Sequence, residues 1–574
     1  MKILSLLAPI GIGLLCTIGC KSDDEKPPAA ESAVQPTGTS IEHLMSIVPS
    51  DALFVSAAQN LTSLMQTYGL VDKNKNLTFI EKGDLAQLEA QLKTTLQYSS
   101  FIKNAKLQDN GTGAIAALMH KNSPCGLLYL PSQDGAGTAD FIVTTISGQG
   151  MPVAEMLDKT DTPNGELSMV KDVPIGVGWL AMNKWLVIGG CQNPDAAKSL
   201  LSSINTPVMK SMNEASWYGE VKGSLQGNWH LGGLLNSSVP KEQLQQLKDL
   251  ITTLNPSLQS NEFQQQFDDI FNNFEVSTTT IEIGSDRVKV DVSGKYTKEG
   301  MGVLKKMDLS QDSTGLMNKI PGKPIAAVVS PINFDLVMEN MTSQSGDIQE
   351  ELNKLMNEFQ REVGTDLEKN FLLQLGSPMG LAFIEEENPR APFFFGGVMW
   401  VGLKDKNTIP VFLDKVTAFI QAEEDVEITK MQVNNNEWYN HNFQDFMNIS
   451  YGVAENNFIL AVGQGIPANI REKMGTNSLM SNIDGRLKGV ISGEKFGSGF
   501  MDFKLLSKSL DTIQKDGIDV QEAADIVGAF DSLTMSTDIS QKNNTFQMEV
   551  DLKAAKTDGF SALFKKEVLP RMKR

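Results

Sequence analysis

One stretch of strand, turn and helix signals occurs twice in the chain. AMNKWLVIGGCQNP spans Ala181 to Pro194, and AENNFILAVGQGIP spans Ala454 to Pro467. In each copy a turn-forming Asn leads into an apolar strand, and a Gly and a Pro mark a corner where a helix begins. At one offset, 454 − 181 = 273, four positions keep their residue or its type: Asn183 and Asn456, Trp185 and Phe458, Gly190 and Gly463, Pro194 and Pro467.

Two further segments repeat in the same order. VPSDALFVSAAQNL from Val48 is echoed by IPGKPIAAVVSPINF from Ile320, at an offset of 321 − 49 = 272 between the prolines. DDIFNNFEVSTTTIEI ending at Ile283 is echoed by ADIVGAFDSLTMSTDI ending at Ile539, at an offset of 539 − 283 = 256. A shared order of segments predicts a tandem duplication of one domain. We expect one repeat over residues 41–312 and a second over residues 313–574.

Each repeat reads as short hydrophobic strands joined by hairpin turns, with amphipathic helices between them. Short turns favour antiparallel pairing. The run FFFGGVMWVGL at 393–403 lacks alternation and is therefore expected to be buried on both faces. A length of 574 residues with 41% hydrophobic and 21% charged residues suits two globular domains. We predict an α+β fold, with two tandem copies of a mainly antiparallel sheet and packed helices.

The N-terminus has the layout of a secretory signal. Met1-Lys2 precedes an apolar run from Ile3 to Ile18, which is too short to span a membrane comfortably. Thr17-Ile18-Gly19-Cys20 resembles the lipobox of bacterial lipoproteins. The resemblance implies a signal peptide over 1–19 and a membrane anchor through acyl chains such as palmitate on Cys20. A plain secretory signal is the alternative.

Residues 20–40 are rich in Pro, Ser, Ala and acidic residues, which predicts a flexible tether. Its acidic start at 21–25 resembles the export signals of surface-exposed lipoproteins, although solvated linker charge explains it equally well. We therefore expect an outer membrane lipoprotein, at the cell surface or on the periplasmic face. The net charge of −19 disfavours nucleic acid as a partner.

Two cysteines, Cys125 and Cys191, fall in the folded part of the chain. Cys125 precedes the strand-like GLLYL, and Cys191 follows the strand-like WLVIGG. If these strands are antiparallel neighbours, the two thiols lie within bridging distance, and an oxidising envelope permits the bond. The sequence leaves open a disulfide or two buried thiols.

Motifs for chemistry are weak. The segment 463–468, GQGIPA, matches the dinucleotide pattern G-x-G-x-x-A, but its place in a hairpin-rich unit favours a structural corner. Glu385-Glu386-Glu387 is expected to be a solvated hairpin tip, matching His120-Lys121-Asn122 in the first copy. The histidines show no zinc spacing. We expect no cofactor and no metal, and the sequence favours a non-enzymatic role without deciding it.

Trp438 and Tyr439 are weak candidates for contact with a ligand. They stand in the polar segment NNNEWYNHN, where we expect Trp438 to be exposed. An exposed aromatic side chain can stack on a ligand, whereas packing within a loop is the alternative.

The lipobox, the acidic tether, the opening VPSDALFVSAAQNL and the two-copy layout together resemble an uncharacterised family of bacterial lipoproteins. Its members open the mature domain with an I-P-A-D-A-like strand, which stands here at 48–52 as VPSDA. The family is a domain of unknown function. The resemblance implies an envelope lipoprotein of α+β type and brings no known activity or site residues.

From these features we expect a lipid-anchored envelope protein that acts as a non-catalytic binding or scaffold module. Its ligand would be a polymer, a lipid-like molecule or another envelope protein. The alternative is an envelope hydrolase that uses dispersed carboxylates. An acidic pair buried side by side in both repeats would favour the hydrolase.

Overall fold

A computed structural model describes residues 40–70, 105–108, 111–148, 153–225, 229–236, 245, 248, 272–305, 314–335, 346–390, 393–424, 426–443, 447–491, 495–515 and 520–569. The predicted signal peptide, Cys20 and the predicted boundary at 312/313 lie outside these residues. The chain divides into unit 1, which is Met1–Thr297 with Thr557–Arg574, and unit 2, which is Lys298–Lys556. In the described residues no helix is long and apolar enough to cross a membrane.

The described strands follow one another along the chain as β1 Phe54–Ala58, β2 Gly113–His120, β3 Ser123–Pro131, β4 Leu157–Thr162, β5 Gly165–Val170, β6 Gly176–Ala181, β7 Trp185–Cys191, β8 Leu231–Asn236, β9 Phe274–Ile283, β10 Arg287–Tyr296, β11 Pro324–Ser330, β12 Leu375–Arg390, β13 Phe393–Leu403, β14 Ile428–Val433, β15 Asn436–Phe443, β16 Met447–Ala454, β17 Asn457–Gly463, β18 Gly497–Asp502, β19 Phe530–Ser540 and β20 Thr545–Ala554.

The described α-helices are α1 Ile41–Met45, α2 Leu61–Thr67, α3 Gly135–Gly148, α4 Pro194–Ser203, α5 Ser216–Val221, α6 Lys298–Lys305, α7 Gly346–Val363, α8 Leu367–Asn370, α9 Thr408–Glu424, α10 Ile466–Lys473, α11 Leu479–Asn482, α12 Gly485–Lys488, α13 Phe503–Lys515, α14 Gln521–Gly528 and α15 Gly559–Leu563. Single 3-10 turns lie at Val153–Met156, Met212–Glu214, Lys222–Leu225, Gly315–Asn318 and Leu372–Gln374, and a π turn at Phe564–Val568.

Within each unit all described strand pairs are antiparallel. Unit 1 has the order β10-β9-β8-β1-β2-β3-β7-β6-β5-β4. Unit 2 has the order β20-β19-β18-β11-β12-β13-β17-β16-β15-β14. The second order is the first with ten added to each number. The predicted α+β class with antiparallel sheets is confirmed.

Both faces of each sheet carry a hydrophobic cluster, because successive strand residues point to opposite faces. In β7, Trp185 and Val187 pack with residues of α4, whereas Leu186 and Ile188 pack on the other face with residues of α3. In β17, Ile459 and Ala461 pack with residues of α10, whereas Phe458 and Leu460 pack on the other face with residues of α9.

The strand pairing corrects the match between the two central stretches by one residue. Ala181 pairs with Leu186 across one hairpin, and Val453 pairs with Phe458 across the other. Leu186 therefore occupies the position of Phe458, and Trp185 lies on the opposite face of its sheet. Both aromatic side chains are buried, but a slip of one residue exchanges the faces of a strand, so the two rings have different neighbours.

The expectation that 393–403 is buried on both faces holds for the second half of the strand, where Val401 is 2% exposed and Met399 and Leu403 pack in the cluster with α9, and is wrong at Phe395. Val398 and Trp400 point into the core and have no exposed surface, whereas Phe395 on the other face is 40% exposed. The run lacks alternation because apolar residues also cover the outer face, where Phe383 of β12 stacks edge-on against Phe395.

Candidate functional site

A pocket of about 310 Å³ opens in unit 2 beside the corner between β17 and α10. Its wall joins four parts of the chain: the segment before β11, residues 384–386 of β12, the first turn of α10 and Asn477 after that helix. Ile384 and Ile466 form an apolar side, and both are almost fully buried. The polar lining includes Lys323, Glu385, Glu386 and Asn469.

Glu386 closes the corner from the inside. Its side chain is buried, and its carboxylate accepts hydrogen bonds from the backbone N–H of Gln464 at 2.6 Å and of Gly465 at 3.0 Å. Gly463 has a φ of 151°, and a Cβ there would collide with the Glu386 carboxylate. These N–H groups are the donors that a phosphate would need at a Gly-rich corner. The resemblance of 463–468 to a nucleotide loop is thus explained by an internal carboxylate.

The expectation that 385–387 is a solvated tip is wrong for Glu386, because β12 continues through this segment and turns Glu386 inward. Glu385 points the other way and pairs with Lys323 at 3.2 Å. The sequence contains no local sign of the inward turn, since the partner corner lies 78 residues away. A positively polarised corner with no anion of its own is the one feature that could have suggested it.

The matching corner of unit 1 contains Cys125 and Cys191. The two residues are directly paired across β3 and β7, their Cα atoms are 4.2 Å apart, and the structure joins them in a disulfide. By strand pairing, Gly396 and Gly463 occupy these positions in unit 2. One sheet position is thus a covalent link in unit 1 and a close approach of two glycines in unit 2.

His120 takes the place of Glu386 in unit 1. Its Nε2 lies 3.2 Å from the Oγ of Ser199 on α4. Burial lowers the pKa of His120, and the negative charge of Asp51 opposes that effect. The ring therefore contacts the helix side chain and not the backbone of the corner.

Trp438 is not exposed as we expected. Neither its ring nor that of Tyr439 has more than 1% of its surface exposed. Both residues lie in β15, whose two faces are covered, so Trp438 packs into one cluster and Tyr439 into the other. Neither side chain is therefore open to a ligand at this surface.

The Tyr439 hydroxyl lies among charged groups. It is 2.9 Å from Asp414 and 2.8 Å from Glu437, and Lys430 bridges both carboxylates at 2.6 and 2.7 Å. Burial and the two carboxylates raise the pKa of Tyr439. Burial alone would lower the pKa of Lys430, but the carboxylates raise it. The lysine offsets the acidic pair, and the phenol stays protonated near neutral pH.

A second acidic pair lies in unit 2 around Arg486. Arg486 contacts Asp502 at 2.9 Å and also Asp531, and Lys504 contacts Asp531 at 2.5 Å. Strand pairing places Asn236 of unit 1 at the position of Asp502, so the pair is not repeated there. Within the described parts of the chain, no group of three acidic, His or Cys side chains is arranged to hold a metal.

Comparison with known proteins identifies a family but no function. The sequence model of the family described as "Protein of unknown function (DUF3352)" matches residues 232–554, more than half of the chain. No curated protein is detectably similar.

Two solved structures give weak matches. Crystal form IV of TP0453 has a TM-score of 0.22 and 9% identity over 44% of this chain and 79% of that one. Crystal form III of TP0453 has a TM-score of 0.23 and 9% identity over 47% of this chain and 89% of that one. Scores this low carry no argument about fold or function.

Proposed function

We propose that this chain, which belongs to the DUF3352 family of unknown function, is a lipid-anchored binding module of the bacterial envelope. Cys20 carries the anchor, and the two α+β units hold a ligand or a partner protein without catalysing a reaction. The sites of attachment are the outer membrane's periplasmic face or the cell surface.

The Cys125–Cys191 disulfide is the observation that carries the location. Disulfides persist in oxidising compartments such as the periplasm and the cell surface, and they are rare in the cytosol. Both cysteines are buried in unit 1, so the bond belongs to the folded core. It supports the same compartment as the secretory layout of residues 1–19.

We further infer that the two units arose by duplication. Their identical strand order supports this inference, and so does an irregular contact that recurs outside the strands. Pro49 bridges to Ser211 in unit 1, and Pro321 bridges to Ser478 in unit 2. The opening VPSDA segment of unit 1 and the segment from Ile320 in unit 2 therefore each bridge to a serine at a corresponding place in their own unit.

The pocket beside Glu386 supports a binding role. It offers an apolar side, a lysine, a carboxylate and the amide of Asn469, which are the groups that fix a small polar ligand. Its carboxylates are engaged by Lys323 and by backbone N–H groups. Carboxylates held in this way orient a ligand more readily than they exchange protons with it.

The anchor is tested by replacing Cys20 with Ser in the full chain. We expect the protein to leave the membrane fraction and to incorporate no labelled palmitate. Cys16→Ser is the matched control and should stay membrane-bound. Membrane retention of the Cys20→Ser protein would count against the anchor.

The binding role is tested by Asn469→Trp, which fills the pocket from the first turns of α10. The lipoprotein is purified in mild detergent from its own envelope, and bound molecules are identified by mass spectrometry. Lys473→Trp, at an exposed position of the same helix, is the control. We expect a molecule that copurifies with the wild type and control but not with Asn469→Trp. Identical profiles for all three proteins would sink the assignment of this pocket.

A further inference from the structure

Unit 2 contains a polar cluster, Arg471, Asn440 and Ser450, where unit 1 is apolar. Asn440 and Ser450 pair across β15 and β16, and Ser450 is fully buried. The Arg471 guanidinium reaches down from α10, bonds to Asn440 Oδ1 at 2.6 Å and also contacts Ser450 Oγ. Ser450 Oγ in turn donates to Asn440 Oδ1 at 2.7 Å.

Strand pairing identifies the matching positions in unit 1. In unit 1, Val187 of β7 pairs with Leu180 of β6, which pairs with Leu167 of β5. In unit 2, Ile459 of β17 pairs with Gly452 of β16, which pairs with Trp438 of β15. Two residues further along these strands, Met169 pairs with Gly178 in unit 1, and Asn440 pairs with Ser450 in unit 2. The polar pair of unit 2 therefore corresponds to Met169 and Gly178.

The helices are matched here by their buried faces and not by their first residues, Pro194 and Ile466, which differ by 272. Ala196, Ala197 and Leu200 of α4 are buried, as are Ile466, Pro467 and Ile470 of α10, at one offset of 270 (466 − 196). Arg471 then stands at the position of Leu201, which belongs to the core of unit 1. A charge has therefore taken the place of an apolar side chain.

This charge has no opposite partner among the described residues. The side chains bonded to Arg471 are neutral, and its Nε is buried with no acceptor in the described structure. Glu472 follows it in sequence but is exposed, and its charge acts without a salt bridge. Burial lowers the pKa of Arg471, which reflects the cost of desolvating the cation.

A second buried donor without an acceptor lies on the same strand as Asn440. Trp438 lies two residues before Asn440 on the same face of β15, and its Nε1 is buried with no acceptor in the described structure. A half-buried cation with an unsatisfied N–H is satisfied by an anion with acceptor oxygens, whereas a cationic or purely donating ligand would be repelled.

We propose that Arg471, with Asn440 and Ser450 behind it, binds an oxyanion group, a carboxylate or a phosphate, of a ligand that enters from the exposed side of α10. The cluster lies on different side chains from the pocket beside Glu386. Failure of either site therefore leaves the other proposal, and the anchor at Cys20, unaffected.

The test uses the full chain with acetate and inorganic phosphate as separate probes, titrated calorimetrically at constant ionic strength. We expect saturable binding of at least one probe, and the stronger probe distinguishes a carboxylate ligand from a phosphate ligand. Arg471→Leu copies unit 1 and should weaken binding about tenfold or more, because the charge-assisted bonds are lost. Arg471→Lys should fall between the two, and Lys473→Leu should change affinity less than about twofold.

A second readout covers the case in which Arg471→Leu does not fold. The Nε–H resonance of Arg471 in the wild type should shift during the titration, and Asn440→Met, which copies Met169, should reduce the affinity. No binding of either probe, which would leave water as the sole occupant, or full affinity in Arg471→Leu, would overturn the assignment.

Discussion

The disulfide between Cys125 and Cys191 should stabilise unit 1 and leave unit 2 unchanged. The bond closes a loop with a sequence separation of 66 residues. In the chain-entropy description, a loop of that size lowers the entropy of the unfolded chain enough to stabilise the fold by about 4 kcal/mol. Unit 2 places Gly396 and Gly463 at the matching positions and therefore has no such contribution.

Reduction of the wild-type protein measures this contribution without changing a side chain. We expect the urea midpoint of unit 1 to fall by roughly 2 M, given slopes of about 2 kcal/mol per M for a domain of this size. Hydrogen exchange in urea, resolved by mass spectrometry, follows peptides from Gly113–His120 and Trp185–Cys191 against peptides from Phe393–Leu403 and Asn457–Gly463. Only the first pair should lose protection.

The double variant Cys125→Ala with Cys191→Ala is the control, because reductant should not change its stability further. Two results would refute the reasoning. One is a loss of protection in the peptides of unit 2 as large as in those of unit 1. The other is a change in unit 1 smaller than about 0.5 kcal/mol, which would show that loop closure is not what the bond contributes.

Three further predictions concern buried charge in unit 2. Glu386→Gln should destabilise the protein by about 2–3 kcal/mol in urea unfolding, because the amide oxygen can accept from only one of the two corner N–H groups. The control Glu385→Gln should cost less than about 1 kcal/mol. Equal losses in the two variants would contradict the role of the buried carboxylate. Arg486→Met should cost about 3–5 kcal/mol, because Asp502 and Asp531 lose their shared cation. Burial raises the pKa of Asp531, but Lys504 and Arg486 lower it below 3.8, so its contribution to stability should be complete above about pH 5 and lost as pH falls through the lowered pKa. A wild-type stability that does not fall below pH 4, or falls equally in Asp531→Asn, would contradict this assignment.

Secondary structure and strand pairing type were largely accessible from local pattern. The Asn-containing turn before β17 adopts the positive φ angles of a two-residue hairpin, 52° at Glu455 and 59° at Asn456. Pro194 begins α4 behind an Asn193 cap, as its missing N–H allows. The match of the DUF3352 model confirms that the chain belongs to a domain family of unknown function, whereas the lipoprotein character expected of that family stays a proposal. The duplication stays an inference.

The candidate sites were less accessible, because they depend on which face of a strand meets which helix. The polar residues around Trp438 suggested exposure, but the turn takes up Asn434 and Asn435, and the strand then points the indole inward. Arg471 gave no sequence signal, since a charged residue on a short helix usually points to solvent. Its contacts come from strands that precede it by 21 and 31 residues.

The α+β class, the antiparallel hairpins and the corners where strands give way to helices follow from the sequence alone. These features depend on backbone preferences within a few residues, such as turn geometry and the missing donor of proline. Long-range packing, in contrast, places Trp185 and Phe458 on opposite faces, turns Glu386 inward and brings Arg471 to Ser450. Strand register has a period of two, so a change of one residue exchanges every neighbour, and the packing of distant segments selects between the two.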